Sequence, residues 1–228
     1  PRAQALHQES LKQQRQRGDK WGIAGALGNL GLVAWMQGDY AAAHAYHEES
    51  LSLRRALDDN LGVAYSLSSL GLVASSQGDY VAARACHEES LSLRQKLAFK
   101  WGIADSLRNL GHVAQAEGQP TRATELLRQS LLLFRELGAK KDAVECLEGL
   151  AAACCAQDQP GRATRLYGAV EALRESLELP RPLLFRGDYE LSVLELEALL
   201  DEARFTSAWM AGRAMALEAA IEYALSQR

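Results

Sequence analysis

Residues 21–60 read WGIAGALGNLGLVAWMQGDYAAAHAYHEESLSLRRALDDN, and residues 61–100 read LGVAYSLSSLGLVASSQGDYVAARACHEESLSLRQKLAFK. With Trp21 set against Leu61 the two stretches agree at 24 of 40 positions and need no gap. A third copy follows at 101–140 and a diverged fourth from 141 onward. Upstream, residues 5–17 align with 45–57 and 85–97, so His7-Gln8-Glu9-Ser10-Leu11 belongs to the second half of a repeat. A fixed period of this length marks a solenoid, in which each unit buries the face that its neighbour leaves open.

Every copy holds two helical patterns and no strand pattern. In the second, Val63, Ala64, Leu67, Leu70, Gly71 and Ala74 recur at three- and four-residue spacing, one stripe of an α-helix. Gly78-Asp79 interrupts it, and Tyr80, Ala83, His87, Ser90, Leu91 and Leu97 form a second stripe. So short a turn makes the pair an antiparallel hairpin. Gly31, Gly71 and Gly111 fall in the middle of the first helix, where glycine costs about 1 kcal/mol against alanine. The expectation is that another backbone comes close there, with Ala43, Ala83, Ala123 and Ala163 as the opposing surface.

At 228 residues, 48% of them apolar, there is ample material for a continuous core. The formal charge of −4 has the wrong sign for a nucleic-acid or anionic-membrane footprint. No run of 18 apolar residues is present to span a bilayer. The chain opens at Pro1-Arg2 with neither an initiator Met nor a leader pattern, and is read as part of a longer protein. Cys86, Cys146, Cys154 and Cys155 lie on helical segments without framework spacing. They are expected to be free, buried thiols of a cytoplasmic protein.

Leu-Gly in the first helix, Gly-Asp-Tyr at the turn and Ala three residues on (Leu30-Gly31, Gly38-Asp39-Tyr40, Ala43) resemble the tetratricopeptide repeat, in its 40-residue variety. Six residues beyond the usual 34 lengthen the two helices by about 9 Å in total. The resemblance implies an all-α, right-handed superhelix, an α-α solenoid. The expected organisation is a half repeat at 1–20, repeats at 21–60, 61–100, 101–140 and 141–177, and capping helices at 178–228. In the fourth copy Asp158-Gln159-Pro160 replaces Gly-Asp-Tyr, with Pro160 at a helix start where its missing N–H costs nothing.

After Leu177 the period fails. Leu179-Pro180-Arg181-Pro182 reads as a stiff extended connector. Asp188 is expected to cap a helix running to about Leu200, followed by helices near 203–213 and 216–225. Their apolar residues are expected to cover the end of the array, as solenoid caps do. Four segments, Leu166-Tyr167-Gly168-Ala169-Val170-Glu171-Ala172-Leu173-Arg174, Asp188-Tyr189-Glu190, Ala208-Trp209-Met210-Ala211-Gly212-Arg213-Ala214 and Leu217-Glu218-Ala219-Ala220-Ile221, are similar to the C-terminal end of bacterial STAND-type and LuxR-type regulators related to the maltose-regulon activator. That similarity implies a nucleotide-binding switch upstream. Ala216 stands where those proteins place Ser or Thr, so the last helix is expected to lack its cap.

His7, His47 and His87 recur, but equivalent residues of stacked helices lie roughly 8–10 Å apart, whereas zinc ligands each lie about 2 Å from the metal. They are read as packed rings. Gly22, Gly25, Gly28 and Gly31 form a series without the strand or the Gly-Lys-Ser/Thr of a phosphate loop. They mark tight packing or an open groove. His-Glu-Glu-Ser at 47–50 and 87–90 lacks the second histidine of a zinc-protease helix. No catalytic residue, metal or cofactor is expected.

The concave face remains. The resemblance assigns it Gly25, Gly28, Leu32, Trp35 and Met36 in repeat one, and Tyr65, Ser68, Leu72, Ser75 and Ser76 in repeat two. Repeat three supplies Asp105, Arg108, His112, Gln115 and Ala116, and repeat four Glu145, Glu148, Ala152, Cys155 and Ala156. Asn29 and Asn109 precede Leu-Gly, where longer repeats hold a peptide backbone; Ser69 and Gly149 interrupt that ladder. The candidate ligand-binding residues are therefore Trp35, Met36, Asn29, Tyr65, Asp105, Arg108, Asn109, His112, Glu145 and Glu148. Repeats one and two differ at four of these inner positions, as a surface tuned for a ligand would, although drift at solvated positions leaves the same pattern. The expected function is a non-catalytic scaffold, the sensor or interaction domain of a bacterial regulator, binding a protein segment, peptide or small effector. The alternative is a structural or self-association module with no ligand of its own.

Overall fold

The computed structural model describes residues 2–181 and 183–226. Among them every regular element is an α-helix. The order is α1 (Arg2–Arg17), α2 (Lys20–Met36), α3 (Tyr40–Ala56), α4 (Asn60–Ser76), α5 (Tyr80–Lys96), α6 (Lys100–Ala116), α7 (Pro120–Glu136), α8 (Lys140–Ala156), α9 (Pro160–Ser176), α10 (Leu183–Leu199), α11 (Glu202–Arg213) and α12 (Leu217–Leu225). From α2 to α9 every helix has 17 residues. Three-residue links between them complete each half-period. The chain divides into two compact units, Pro1–Asn109 and Leu110–Arg228.

One device serves link after link. The middle residue takes a left-handed backbone, as at Gly38 and Gly78, both with φ 78°. Across it the Asp39 amide donates to the Ala34 carbonyl at 3.0 Å, closing α2. The Asp39 carboxylate then accepts the Ala42 amide at 3.0 Å and opens α3. In Gly-Asp-Tyr, therefore, glycine ends one helix and aspartate begins the next. Elsewhere Asp58, Ala98, Asp158 and Glu178 take the left-handed position without being glycine.

The hairpins close differently from the expected backbone approach. A Cβ added to Gly31 would stand 2.6 Å from the His47 ring, and one on Gly71 2.6 Å from the His87 ring. At Gly111 it would meet Leu127 Cγ at 2.7 Å. A side chain makes the tightest contact at each glycine; backbone comes near only at Gly111, where the Ala123 carbonyl oxygen would stand 3.5 Å from the added Cβ. Ala43, Ala83, Ala123 and Ala163 are fully buried.

In the first unit α1 to α5 pack in sequence, each against the next. Leu27, Leu30, Leu67, Leu70 and Val73 fill the core. Buried Ser50 and Ser90 donate to the carbonyls of Ala24 and Ala64, so neither hydroxyl is left unsatisfied. In the second unit Leu127, Leu131, Phe134, Leu147, Leu166 and Val170 do the same work around α7, α8 and α9.

Beyond α9 the hairpin rule breaks. α10 begins at Leu183, so Asp188 lies inside the helix rather than capping it. Helix propagation gains a hydrogen bond for each residue fixed, which carries α10 back to the proline-bounded connector; Pro182 itself lies outside the described residues. α11 is capped by Asp201, whose carboxylate accepts the Arg204 amide at 2.9 Å. It crosses α9 at two glycines: a Cβ on Gly212 would stand 2.0 Å from the Arg165 carbonyl oxygen, and one on Gly168 2.4 Å from that of Trp209. Here backbone does meet backbone. Ala216 gives α12 no side-chain cap. Its last carbonyls are instead held by arginines: Arg162 Nη2 donates to Tyr223 and Ser226 at 2.8 Å, and Arg128 donates to Leu225.

Candidate interaction surface

In the first unit the inner positions of α2 are open at one end and engaged at the other. A Cβ on Gly25 would meet nothing within 4 Å, and Asn29 is exposed. Leu32 is 48% exposed and Met36 72%, one helical turn apart on the same face. Between them Trp35 turns toward the next repeat, and its indole N–H donates to Ser76 Oγ at 2.9 Å. Ser76 in turn donates to the Leu72 carbonyl at 2.9 Å. The divergence of Trp35 from Ser75 and Met36 from Ser76 thus includes a packing pair: an indole at 35 requires a small acceptor at 76.

On α4, Tyr65 is 41% exposed and lies against Phe99, with the Arg94 guanidinium 5.3 Å from its ring centre. Arg94 is 1% exposed and fixes the polar end of this face. It donates to the Gly102 carbonyl, the Ser106 hydroxyl and the Asp105 carboxylate, each at 2.9 Å. The other Asp105 oxygen accepts from Arg108 at 2.7 Å. Asp105 and Asn109 are buried, each at 8% exposure. Asp105 is therefore the shared partner of two guanidiniums, and its carboxylate supports the face rather than standing open upon it. His47, behind the face, is pushed down to about 4 by burial, reinforced by Arg54 and His44. It packs as a neutral ring.

In the second unit exposed His112 joins Gln115, with Nδ1 and Oε1 3.2 Å apart. Gln115 donates to the Gly149 carbonyl at 2.6 Å. Glu145 is half-buried, 3.9 Å from Lys141. Glu148 is committed elsewhere: it accepts from Arg174 at 2.6 Å and from Arg181 at 2.9 Å. Arg181 also reaches Glu171 at 3.2 Å and lies 3.4 Å from the centre of the Tyr189 ring, whose hydroxyl donates to Glu171 at 2.8 Å. Burial opposes the charge on Arg181, but Glu148, Tyr189 and Glu171 outweigh it and hold it more firmly protonated. Tyr189 meets Tyr167 edge-on at 5.5 Å between centroids. Burial, the neighbouring Cys154 and Glu195 of α10 push the Cys155 thiol up to about 11, which favours its protonated form at neutral pH. Glu148, at an inner position of α8, is thus held by α9 and by the connector.

The arginines Arg94, Arg174 and Arg181 escaped the sequence reading of the face. The signal was present for two of them: Arg54, Arg94 and Arg174 recur at the repeat period, on the second helix, facing the first helices. Arg54 donates to the Gly62 carbonyl at 2.6 Å, as Arg94 does to Gly102. Among the described residues no group of three His, Cys, Asp or Glu side chains is placed to hold a metal ion. No described helix is long and apolar enough to cross a membrane.

Comparison with known proteins agrees with this geometry. The structure of BtubC (BKLC) from P. vanneervenii superposes with a TM-score of 0.69 at 17% identity, covering 98% of this chain and 88% of that one. The Podosopora anserina putative kinesin light chain, with nearly identical TPR-like repeats, gives a TM-score of 0.57 at 19% identity, covering 87% and 92%. A single-substitution variant of that light chain gives 0.60 at 17% identity, covering 78% and 87%. At such identities the likeness shows the fold alone. No curated protein matches in sequence. The family model described as tetratricopeptide repeat matches residues 1–56, 22–96 and 102–176. The chain, an all-α array of helical hairpins with a helical cap, therefore belongs to the tetratricopeptide repeat family, whose members generally mediate protein–protein interaction on non-catalytic scaffolds.

Proposed function

We propose that the chain is a non-catalytic protein-binding scaffold whose working face lies on α2 and α4 of the first unit. One observation carries this: Leu32, Met36 and Tyr65 are large apolar side chains left exposed at inner positions, beside a Trp35–Ser76 pair that fixes the spacing of the two helices. Exposed apolar side chains on a rigid helical platform accept the apolar side chains of an extended or helical segment. Asn29 stands on the same helix, where its amide is free of burial and able to meet a peptide backbone. Arg108 borders the face, paired with the Asp105 carboxylate that Arg94 also holds. The occupant is a protein segment carrying apolar anchors.

The finer context is a sensor or interaction domain of a bacterial signal-transduction ATPase that regulates transcription, working in the cytoplasm. Two things support it. The segments similar to such regulators hold Tyr167, Gly168, Tyr189, Trp209 and Gly212, which pack together at the α9–α11 crossing and its edge. The four cysteines are free, and burial raises the thiols of Cys86, Cys154 and Cys155. A Gly-x4-Gly-Lys-Ser/Thr loop encoded upstream of residue 1 is expected, and a parent gene without any nucleotide-binding module removes this context.

The binding face is tested with peptides selected by display on the wild-type chain. Leu32→Asp with Met36→Asp is expected to abolish their binding while leaving the melting temperature unchanged, because both side chains are largely in water. Undiminished binding to that variant sinks the assignment.

A further inference from the structure

In a complete repeat the first helix is covered twice, as α4 is by α3 before it and α5 after it. α10 has the same length of 17 residues and packs on α9 and α8. Its return helix is missing from the place a hairpin would give it. α11 has gone instead to α9, where Gly168 and Gly212 let the two backbones touch. The consequence is visible along α10. Ser192, Val193, Leu196 and Leu200 form its inward side, with Leu196 at 1% exposure. Leu191 and Leu194 stand 58% and 61% exposed, with Ala198 exposed in line with them and Leu199 at 69%.

The charges beside this stripe select what covers it. At about 100° per residue, Leu191, Leu194 and Ala198 fall within one arc of about 60°. Glu195 flanks the arc on one side, Glu190 and Glu197 on the other, and all three are exposed. Arg204, an exposed cation in the next helix, is taken by Asp201 at 3.2 Å. A second copy of this chain would set these carboxylates against their own kind, and an anionic bilayer would be repelled by them. An apolar helix face bordered by lysine or arginine fits both the leucines and the rim.

We propose that the exposed face of α10 docks a basic amphipathic helix of a protein partner, which takes the place of the missing return helix. This surface is built from other residues than the face on α2 and α4. Leucine side chains at three- and four-residue spacing fill the row of Leu191, Leu194 and Ala198, and basic side chains meet Glu190, Glu195 and Glu197.

The probe is a labelled 18-residue synthetic peptide with leucines at three- and four-residue spacing and lysines on the flanks, titrated into the whole chain by fluorescence anisotropy. Its control carries glutamate in place of each lysine. The lysine peptide is expected to bind, more weakly as salt rises, and to protect amides of residues 189–199 from hydrogen exchange. Leu191→Asn with Leu194→Asn weakens it by about tenfold or more, and the triple change of Glu190, Glu195 and Glu197 to Gln flattens the salt dependence. Leu32→Asp with Met36→Asp leaves it unaltered, so this surface and the proposed binding face fail independently. The proposal is overturned if the glutamate peptide binds equally well, if the leucine pair makes no difference, or if sedimentation shows a dimer of the chain that the leucine pair abolishes.

Discussion

The hairpin of α4 and α5 and the crossing of α9 and α11 both turn on glycine, but to different ends. In the hairpin, Gly71 makes a socket for the His87 ring, which stands 2.6 Å from where a Cβ would be. At the crossing, Gly168 and Gly212 make room for backbone itself: a Cβ on Gly168 would stand 2.4 Å from the Trp209 carbonyl oxygen, and one on Gly212 2.0 Å from that of Arg165. A socket can be refilled by changing its occupant, since side chains repack. A backbone contact has no such remedy. The repeats are therefore tolerant of exchange, as the His, His and Leu at 47, 87 and 127 show, while the cap is held at one intolerant point. Repeat four lies between the two cases. Ala151 stands where the other copies have glycine, and Tyr167 on α9 turns to Tyr189 of α10.

The largest effect is expected at the crossing. Gly212→Ala places a methyl group inside the Arg165 carbonyl, and relief requires α11 to move off α9. A loss of about 3 kcal/mol or more is expected, at the upper end of overpacking costs. Hydrogen exchange would show it as loss of protection in residues 202–225 with the first unit unaffected. If Gly212→Ala melts like the wild type, the contrast between socket and crossing is void.

Next comes the charge state of a socket's occupant. His47 is driven to about 4 by burial, then by Arg54 and His44, against 6.5 when unfolded. Between those values the unfolded chain binds the proton and the folded chain does not, so stability is full above about 6.5 and falls as pH drops toward 4. The loss reaches up to about 3 kcal/mol. His47→Leu, which copies Leu127 of the third copy, is expected to flatten this part of the pH–stability profile measured by urea denaturation. A profile that keeps its slope in the variant rules out the neutral packed ring.

The same contrast marks how far the sequence could be read. The hairpins were legible because their signals are local: apolar spacing, Gly38-Asp39, and a period that repeats the same contacts. The socket was half legible; a mid-helix glycine announces a close approach but not whether a ring or a backbone makes it. The start of α10 was misplaced at Asp188, because a good capping residue was weighed over the tendency of a helix to extend to the nearest proline. At the candidate face Met36 and Leu32 lie exposed, whereas Asp105 and Glu148 are taken by Arg94, Arg174 and Arg181. Those partners come from second helices and from the connector, and inner-face positions alone carry no information about them.

A smaller effect distinguishes a socket from a crossing within one residue pair. Gly71→Ala presses a methyl against the His87 ring, and a loss of about 1–2 kcal/mol is expected after the gain in helix propensity is counted. With His87→Ala already in place the socket is empty, and the same Gly71→Ala is expected to stabilise by up to about 1 kcal/mol. The sign reversal is a double-mutant cycle read by chemical denaturation. Equal costs in both backgrounds would mean that something other than the ring occupies the site.

The smallest effect lies in the links, where socket and crossing have no part. Ala98 holds φ at 51° in the link between α5 and α6, a place that Gly38, Gly78, Gly118 and Gly138 fill elsewhere. A Cβ in the left-handed region crowds the backbone at a cost of about 1 kcal/mol, whereas glycine adopts it freely. Ala98 is exposed, so replacing it removes no packing. Against this, glycine gives the unfolded chain more freedom, which takes back a few tenths. Ala98→Gly is therefore expected to stabilise the chain by about 0.5–1 kcal/mol, a rise of a few degrees in melting temperature. Gly78→Ala at the matching link should lower it by a similar amount. The two changes are mirror images of one backbone rule, and a gain at residue 98 without a loss at residue 78 would mean that the links are not held in the same conformation for the same reason.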